Sequence, residues 1–328
     1  MTSSFKGSRR RSLALAASLL AFGATGSYAQ TSYPNRPIKL IVPFAAGAAT
    51  DLIGRVVGQR LSERLGQPVM VENKTGAGGM IGMQATAKSL PDGYTLGLVI
   101  STLATAAPDA KKHGFSLDKD LTGVSLISQM PVIIVAHPSA SINSFQDLLQ
   151  QSKMQKDGLG YSTSGIGSMS HLVGELVKYK TSAQLLHIPY RGGAPALQAS
   201  LAGDVPLQLA MPTTVAPYVL AGKLKGIAVS SRLRSDVLPD VPTFGELGLK
   251  DLETTEWYGL VAPAGTPPSI INKLSAQVAL ILKEPEVLGK LKGMFVVGNS
   301  PEAFNAFISD ERSRWASLVK SANLKIDE

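Results

Sequence analysis

Two loops, each running from an apolar stretch into a helix-like one, carry the residues best suited to chemistry. The first is Pro43-Phe44-Ala45-Ala46-Gly47-Ala48-Ala49-Thr50-Asp51, a run of small residues ending on an acid. Small side chains let backbone N–H groups approach a bound group closely, and a helix amino terminus favours an anion. Asp51 is placed to cap that helix by accepting its first N–H groups. A tight turn with a capping Asp is the alternative reading of the same residues. The second loop is Ser162-Thr163-Ser164-Gly165-Ile166-Gly167-Ser168, with His171 three positions further on. Hydroxyls and backbone N–H groups converge there, which suits a carboxylate. His171, standing alone, reads as a packed or capping histidine rather than a catalytic base.

Other chemistries find little support. Gly76-Ala77-Gly78-Gly79-Met80-Ile81-Gly82 holds a glycine string of the kind that cradles dinucleotides, but the following strand ends Ile100-Ser101-Thr102 with no acid to bind a ribose. Those glycines are expected to serve close helix–strand packing. Gly160-Tyr161-Ser162-Thr163-Ser164 misses the last glycine of a serine-nucleophile elbow. The four histidines, 113, 137, 171 and 187, lack the spacing of a helical metal pair. The chain has no cysteine, which excludes thiol catalysis, iron–sulfur ligation and disulfides. No catalytic residue, metal or cofactor is expected.

The elements that would hold the two loops form two alternating units. In the first, strands over Ile38–Val42, Val69–Glu72 and Thr95–Ile100 alternate with helices over Asp51–Leu65 and Ile81–Ser89. Leu52, Val56, Leu61 and Leu65 form the apolar face of the first helix. The second unit alternates strands at Leu159–Ser162, Leu185–Ile188, Val205–Leu209 and Ile227–Val229 with helices at Met169–Tyr179, Ala194–Leu201 and Val215–Ala221. The chain enters it after strands at Leu121–Ile127 and Val132–Ala136, and leaves it by Glu256–Pro263. Helices follow from Pro267 and from Pro301 to about Ala322. The expected architecture is α/β: a two-lobed clamshell, each lobe a mainly parallel sheet flanked by helices. Lobe 1 would comprise 30–130 and 255–328, and lobe 2 would comprise 131–254. A ligand would sit between them, at strand carboxyl ends.

Lys6, Arg9, Arg10 and Arg11 precede an apolar run from Leu13 to about Thr25, followed by Ser27-Tyr28-Ala29. This is the pattern of a secretory leader, residues 1–29, cut after about Ala29. The run is short for a permanent span, which needs about 20 apolar residues. Removing those four cations from the total of 32 leaves 28 basic against 24 acidic residues, a net +4. No basic run follows the leader, so a nucleic-acid partner is not expected.

Further residues carry a resemblance. Tyr33-Pro34, Arg36-Pro37-Ile38, Val42-Pro43-Phe44-Ala45-Ala46-Gly47 and Asp51 are followed by Leu65-Gly66-Gln67-Pro68-Val69 and Val71-Glu72-Asn73-Lys74. Then come Gly76-Ala77-Gly78-Gly79, Pro91-Asp92-Gly93-Tyr94-Thr95-Leu96, Tyr161-Ser162-Thr163-Ser164-Gly165 with His171-Leu172, and Pro189-Tyr190-Arg191-Gly192. Leu238-Pro239-Asp240-Val241-Pro242-Thr243 and Trp257-Tyr258-Gly259 complete the set. The sequence resembles the Bug family, the periplasmic receptors of tripartite tricarboxylate transporters, over nearly all of residues 33–328. The resemblance implies a type II-like periplasmic binding fold, no enzymatic activity, and a small carboxylate as ligand. It implies a monomer that meets membrane transporter subunits. A ligand-presenting sensor for a membrane kinase is the alternative, and a secreted enzyme acting on organic acids is another.

The implied ligand set is Phe44, Ala45, Ala46, Gly47, Ala48 and Asp51, with Ser101 at the end of the third strand. From the other lobe come Ser162, Thr163, Ser164, Gly165, Ser168 and His171, with Tyr190 and Met211. Three positions depart from the family's pattern. Ala48 replaces a usual glycine, Pro206 stands where an acid is frequent, and the strand end Leu209-Ala210-Met211-Pro212 lacks a polar residue. A cleft wall with Met211 and no acid is expected to disfavour an amino-acid ligand, whose ammonium needs a partner. A partly apolar carboxylate, aromatic or medium-chain, is expected instead.

Overall fold

Strand direction, more than strand position, decides how this chain is built. The computed structural model describes residues 33–106 and 114–321, so the leader at 1–29, His113 and the chain end lie outside the described residues. From Arg36 onward the chain forms one unit.

The first sheet starts with β1 (Ile38–Val42), α1 (Ala49–Leu65), β2 (Val69–Asn73), α2 (Met80–Ala87) and β3 (Thr95–Ile100). Each crossover contains a helix, so β1 pairs in parallel with β2 on one side and β3 on the other. Ile38, Leu40 and Val42 are fully buried, as befits a strand covered on both faces. Helix α1 lies close on the sheet because Gly54 and Gly58 face it; a Cβ at Gly54 would stand 2.6 Å from Val42 Cγ2. Those glycines set the buried face through Ile53, Val56, Val57 and Leu61, and Leu52 is exposed, contrary to the sequence expectation. Glycines carry no hydrophobic signal, so the periodicity was displaced by one residue.

After β3 the chain turns at once into α3 (Ser101–Ala106), and α4 (Leu117–Asp120) leads into β4 (Leu121–Met130). The second sheet then follows: β5 (Ile133–Ala136), α5 (Phe145–Met154), β6 (Leu159–Thr163), α6 (Met169–Thr181), β7 (Leu185–Pro189), α7 (Gly193–Ala202), β8 (Leu207–Ala210), α8 (Pro212–Leu220) and β9 (Lys225–Val229). The chain returns through β10 (Glu256–Pro263), α9 (Pro268–Ile281), α10 (Pro285–Lys290), β11 (Phe295–Val296) and α11 (Pro301–Ser321).

The strand orders are β11-β4-β10-β3-β1-β2 and β7-β6-β8-β5-β9. This is the expected two-lobed α/β fold, and each sheet is mixed: four of six strands in the first and four of five in the second share a direction. Strand β10 runs antiparallel to both β3 and β4, and β5 runs antiparallel to β8 and β9. β5 and β10 are the strands on which the chain enters each sheet after leaving the other, and with β11 they run against the rest.

The last helix serves both cores. Phe304 lies against Gly259 and Gly123 of the first sheet, where a Cβ would overlap its ring. Three turns further on, Trp315 is buried in the second core with Phe145, Tyr161, Leu172 and Phe244.

Candidate ligand-binding cleft

The loop between β1 and α1 is held from behind by a buckle of three side chains. Asp51 Oδ2 accepts from Gly47 N–H (3.0 Å) and Arg55 Nε–H (2.9 Å), and its Oδ1 accepts from Asn73 Nδ2–H (2.8 Å). Asn73 also donates to the Phe44 carbonyl at 2.9 Å. The Arg55 guanidinium, then the Gly47 and Asn73 donors, hold the Asp51 carboxyl down at about 2 against the opposing effect of burial. The sequence expectation for Asp51 needs correcting. The helix cap is Ala48, without a side-chain bond, and Asp51 sits inside the first turn, reaching back to Gly47. Gly47 takes φ +88°, a left-handed conformation that glycine adopts without strain. Ala45, Ala46, Gly47 and Ala48 are exposed on the outer side of this buckle.

The loop between β6 and α6 is held in a similar way. Ser168 caps α6: its Oγ accepts from His171 N–H (3.3 Å) and donates to the Gly165 carbonyl (2.7 Å). His171 Nδ1 accepts from Gly167 N–H at 3.2 Å, and its ring stacks on His187 at 4.1 Å. Thr163 Oγ1 meets His187 Nε2 at 2.7 Å and accepts from Gly165 N–H. Burial keeps both imidazoles below their ordinary value, His187 at about 4. Neutral rings are what the loop needs, since a protonated His171 Nδ1 cannot accept from Gly167. Thr163 and His187 resemble a hydroxyl–imidazole nucleophile pair, but Thr163 is wholly buried and its hydroxyl is committed to the loop.

Both loops border one cavity of ≈ 370 Å³ at strand carboxyl ends. Of the expected ligand residues, Phe44, Ser164, Ser168 and Met211 line it. Ala45–Ala48 and Gly165 belong to the bordering loops. Asp51, Ser101, Ser162, Thr163 and His171 are buried behind them, each in hydrogen bonds to the scaffold. Tyr190 supports the second loop through its N–H, which donates to the Thr163 carbonyl at 3.1 Å. The glycine string packs α2 closely: a Cβ at Gly82 would stand 2.8 Å from the Lys74 carbonyl oxygen, and Gly78 reaches the cavity wall.

Several wall residues were missed, among them Ile100, Thr102 and Met169, and one of them is charged. Glu256, the first residue of β10, lines the cavity and is only 5% exposed. The antiparallel register pairs Tyr258 with Ile100, so Glu256 falls beside the residues just past the end of β3. Its Oε1 accepts from Ser101 Oγ–H at 2.7 Å, and the Thr102 N–H also donates to the carboxylate. Burial outweighs those donors and raises the carboxyl to about 7. The expectation of a cleft wall without an acid is therefore wrong. The available signal was an acid heading an otherwise uncharged strand, but only the register shows where it goes. Among the described residues, no three His, Asp or Glu side chains are grouped to hold a metal.

The sequence model of the tripartite tricarboxylate transporter family receptors matches residues 53–324. The chain belongs to that family. It is 35% identical to protein BugT of Bordetella pertussis over 308 residues, covering 93% of this chain and 94% of BugT. A Rhodopseudomonas palustris protein solved with adipate shares 31% identity at a TM-score of 0.77, over 89% of this chain and 98% of that one. MatC of the same organism, solved with malate, shares 31% identity at a TM-score of 0.73, over 88% and 100%. The family is one of solute-binding receptors, and the two mixed sheets of this chain match their fold.

Proposed function

We propose that this chain is a periplasmic receptor that captures a small organic carboxylate and delivers it to the membrane subunits of a tripartite transporter. The observation that carries the reading is the convergence of two strand-to-helix loops, one from each sheet, on a single small cavity. The exposed loop at Ala45 and Ala46, the Ser164 hydroxyl and the N–H groups that open α6 offer donors to an anion from both sides. Relatives solved with adipate and with malate support a carboxylate ligand.

In this reading the leader is removed after about Ala29, and residues 131–254 form the lobe that closes on the remainder. The chain passes between sheets near 130 and near 255, and ligand shifts the open–closed balance about those crossings. Asp51, Thr163 and His171 shape the loops, Ser101 holds Glu256, and none of the four touches the solute.

The test is mass spectrometry of whatever copurifies with the exported chain, then thermal-shift titration with that compound and a carboxylate panel. A true ligand at a hundred times its Kd adds about 2.7 kcal/mol of stability. A bound acid recovered unchanged supports a receptor; conversion of that acid, or no shift with any carboxylate, refutes it.

A further inference from the structure

We propose that Glu256 selects the ligand's second functional group, and that this group is a protonated amine, so that the cleft takes an amino carboxylate. The inference rests on the carboxylate-receptor reading above and narrows it. Glu256 is the one charged side chain among the described residues lining the cavity. No lysine, arginine or histidine of that lining faces it. A buried carboxylate without a cation is costly, and a bound ammonium supplies the missing partner.

The local geometry favours an acceptor there. The Ser101 hydroxyl and the Thr102 N–H both donate to the carboxylate, which orients it and offsets part of the cost of its burial. Phe44, Ile100, Ile166, Met169 and Met211 make the rest of the wall largely apolar, suited to a short hydrocarbon chain between two charged ends. The ligand's carboxylate falls to Ser164 and the amino terminus of α6 on the opposite sheet. A dicarboxylate in the same pose would set its second anion against Glu256, and like charges disfavour each other unless a proton is taken up.

The test uses calorimetric titration of the whole exported chain with matched sets at slightly alkaline pH. Each set holds one chain length with three far ends: β-alanine, propanoate and malonate in one, γ-aminobutyrate, butanoate and succinate in another. Alanine and leucine extend the panel to α-amines. Binding of amine-bearing members, at least about tenfold tighter than that of their partners, is expected. Glu256→Gln keeps an acceptor for Ser101 and should erase that preference, weakening the amines about tenfold or more while leaving the dicarboxylates unchanged or improved. Carboxylates that bind regardless of the amine, in wild type and Glu256→Gln alike, overturn this inference and leave the receptor reading standing. No binding by any carboxylate overturns both. The wild-type panel decides the question even if the variant folds poorly.

Discussion

Asp51, His187 and Glu256 respond to acid in different directions, and their signs separate their roles. The folded protein holds Asp51 at about 2, below its ordinary 3.8, so the unfolded chain takes up protons first. Its contribution is complete above that ordinary value and is lost as pH falls toward 2. His187, held at about 4 instead of 6.5, contributes above 6.5 and loses that contribution as pH falls through 4. Glu256 is opposite: raised from 4.5 to about 7, it favours the fold below 4.5 and loses that advantage as pH rises through 7. Denaturant melts of Glu256→Gln without ligand are therefore expected to show a smaller stability loss than wild type between those two values. A His187→Asn variant should show a shallower fall from pH 6.5 to 4 than wild type. Asp51→Ala, which leaves Gly47 and Asn73 without their acceptor, should cost about 1–2 kcal/mol, the Arg55 share being screened by solvent. At this scale the sequence is a partial guide. The Ser144 cap on α5 and the Ser168 hydroxyl follow from residue type and position. Glu256 does not, because a strand from the far end of the chain brings it to the site.

Among elements, glycine positions decide how closely helices sit. Gly259 and Gly123 make room for the Phe304 ring beneath β10 and β4. Gly259→Ala should overpack that contact and cost about 1–3 kcal/mol, read from urea midpoints. Trp315 fills the second core from a helix that also packs on the first, so Trp315→Ala should cost about 3–5 kcal/mol and lower the melting temperature of the whole chain. Long elements were legible in sequence: β3 and β10 have the bounds that their continuous apolar runs predict. The short ones, α4, α10 and β11, were not, since one or two turns or a two-residue pairing leave too little periodicity to read. The side on which the last helix packs was equally hidden. Its Phe304 and Trp315 look alike in sequence and go to different cores.

For the whole molecule, the two-lobed α/β fold was legible, but which strands run against the others was not. An apolar strand reads the same in either orientation, so nothing in the sequence marks β5, β10 and β11 as running against an otherwise parallel set. The crossings between sheets also separate local from distant pairing. The second sheet is built from one continuous stretch, Ile133 to Val229, whereas the first needs β10, more than a hundred residues beyond β3, to join its two halves. Pairings across so long a loop form slowly. Pulsed hydrogen exchange during refolding should show amides of β6 and β8 protected before those of β3 and β4. In a chain emerging from its amino terminus, the lobe that begins first thus finishes last. Until β10 arrives, Thr95–Ile100 presents a nearly wholly apolar strand with one unpaired edge, the kind of surface on which chains aggregate. This is the stretch a holding chaperone has most reason to cover.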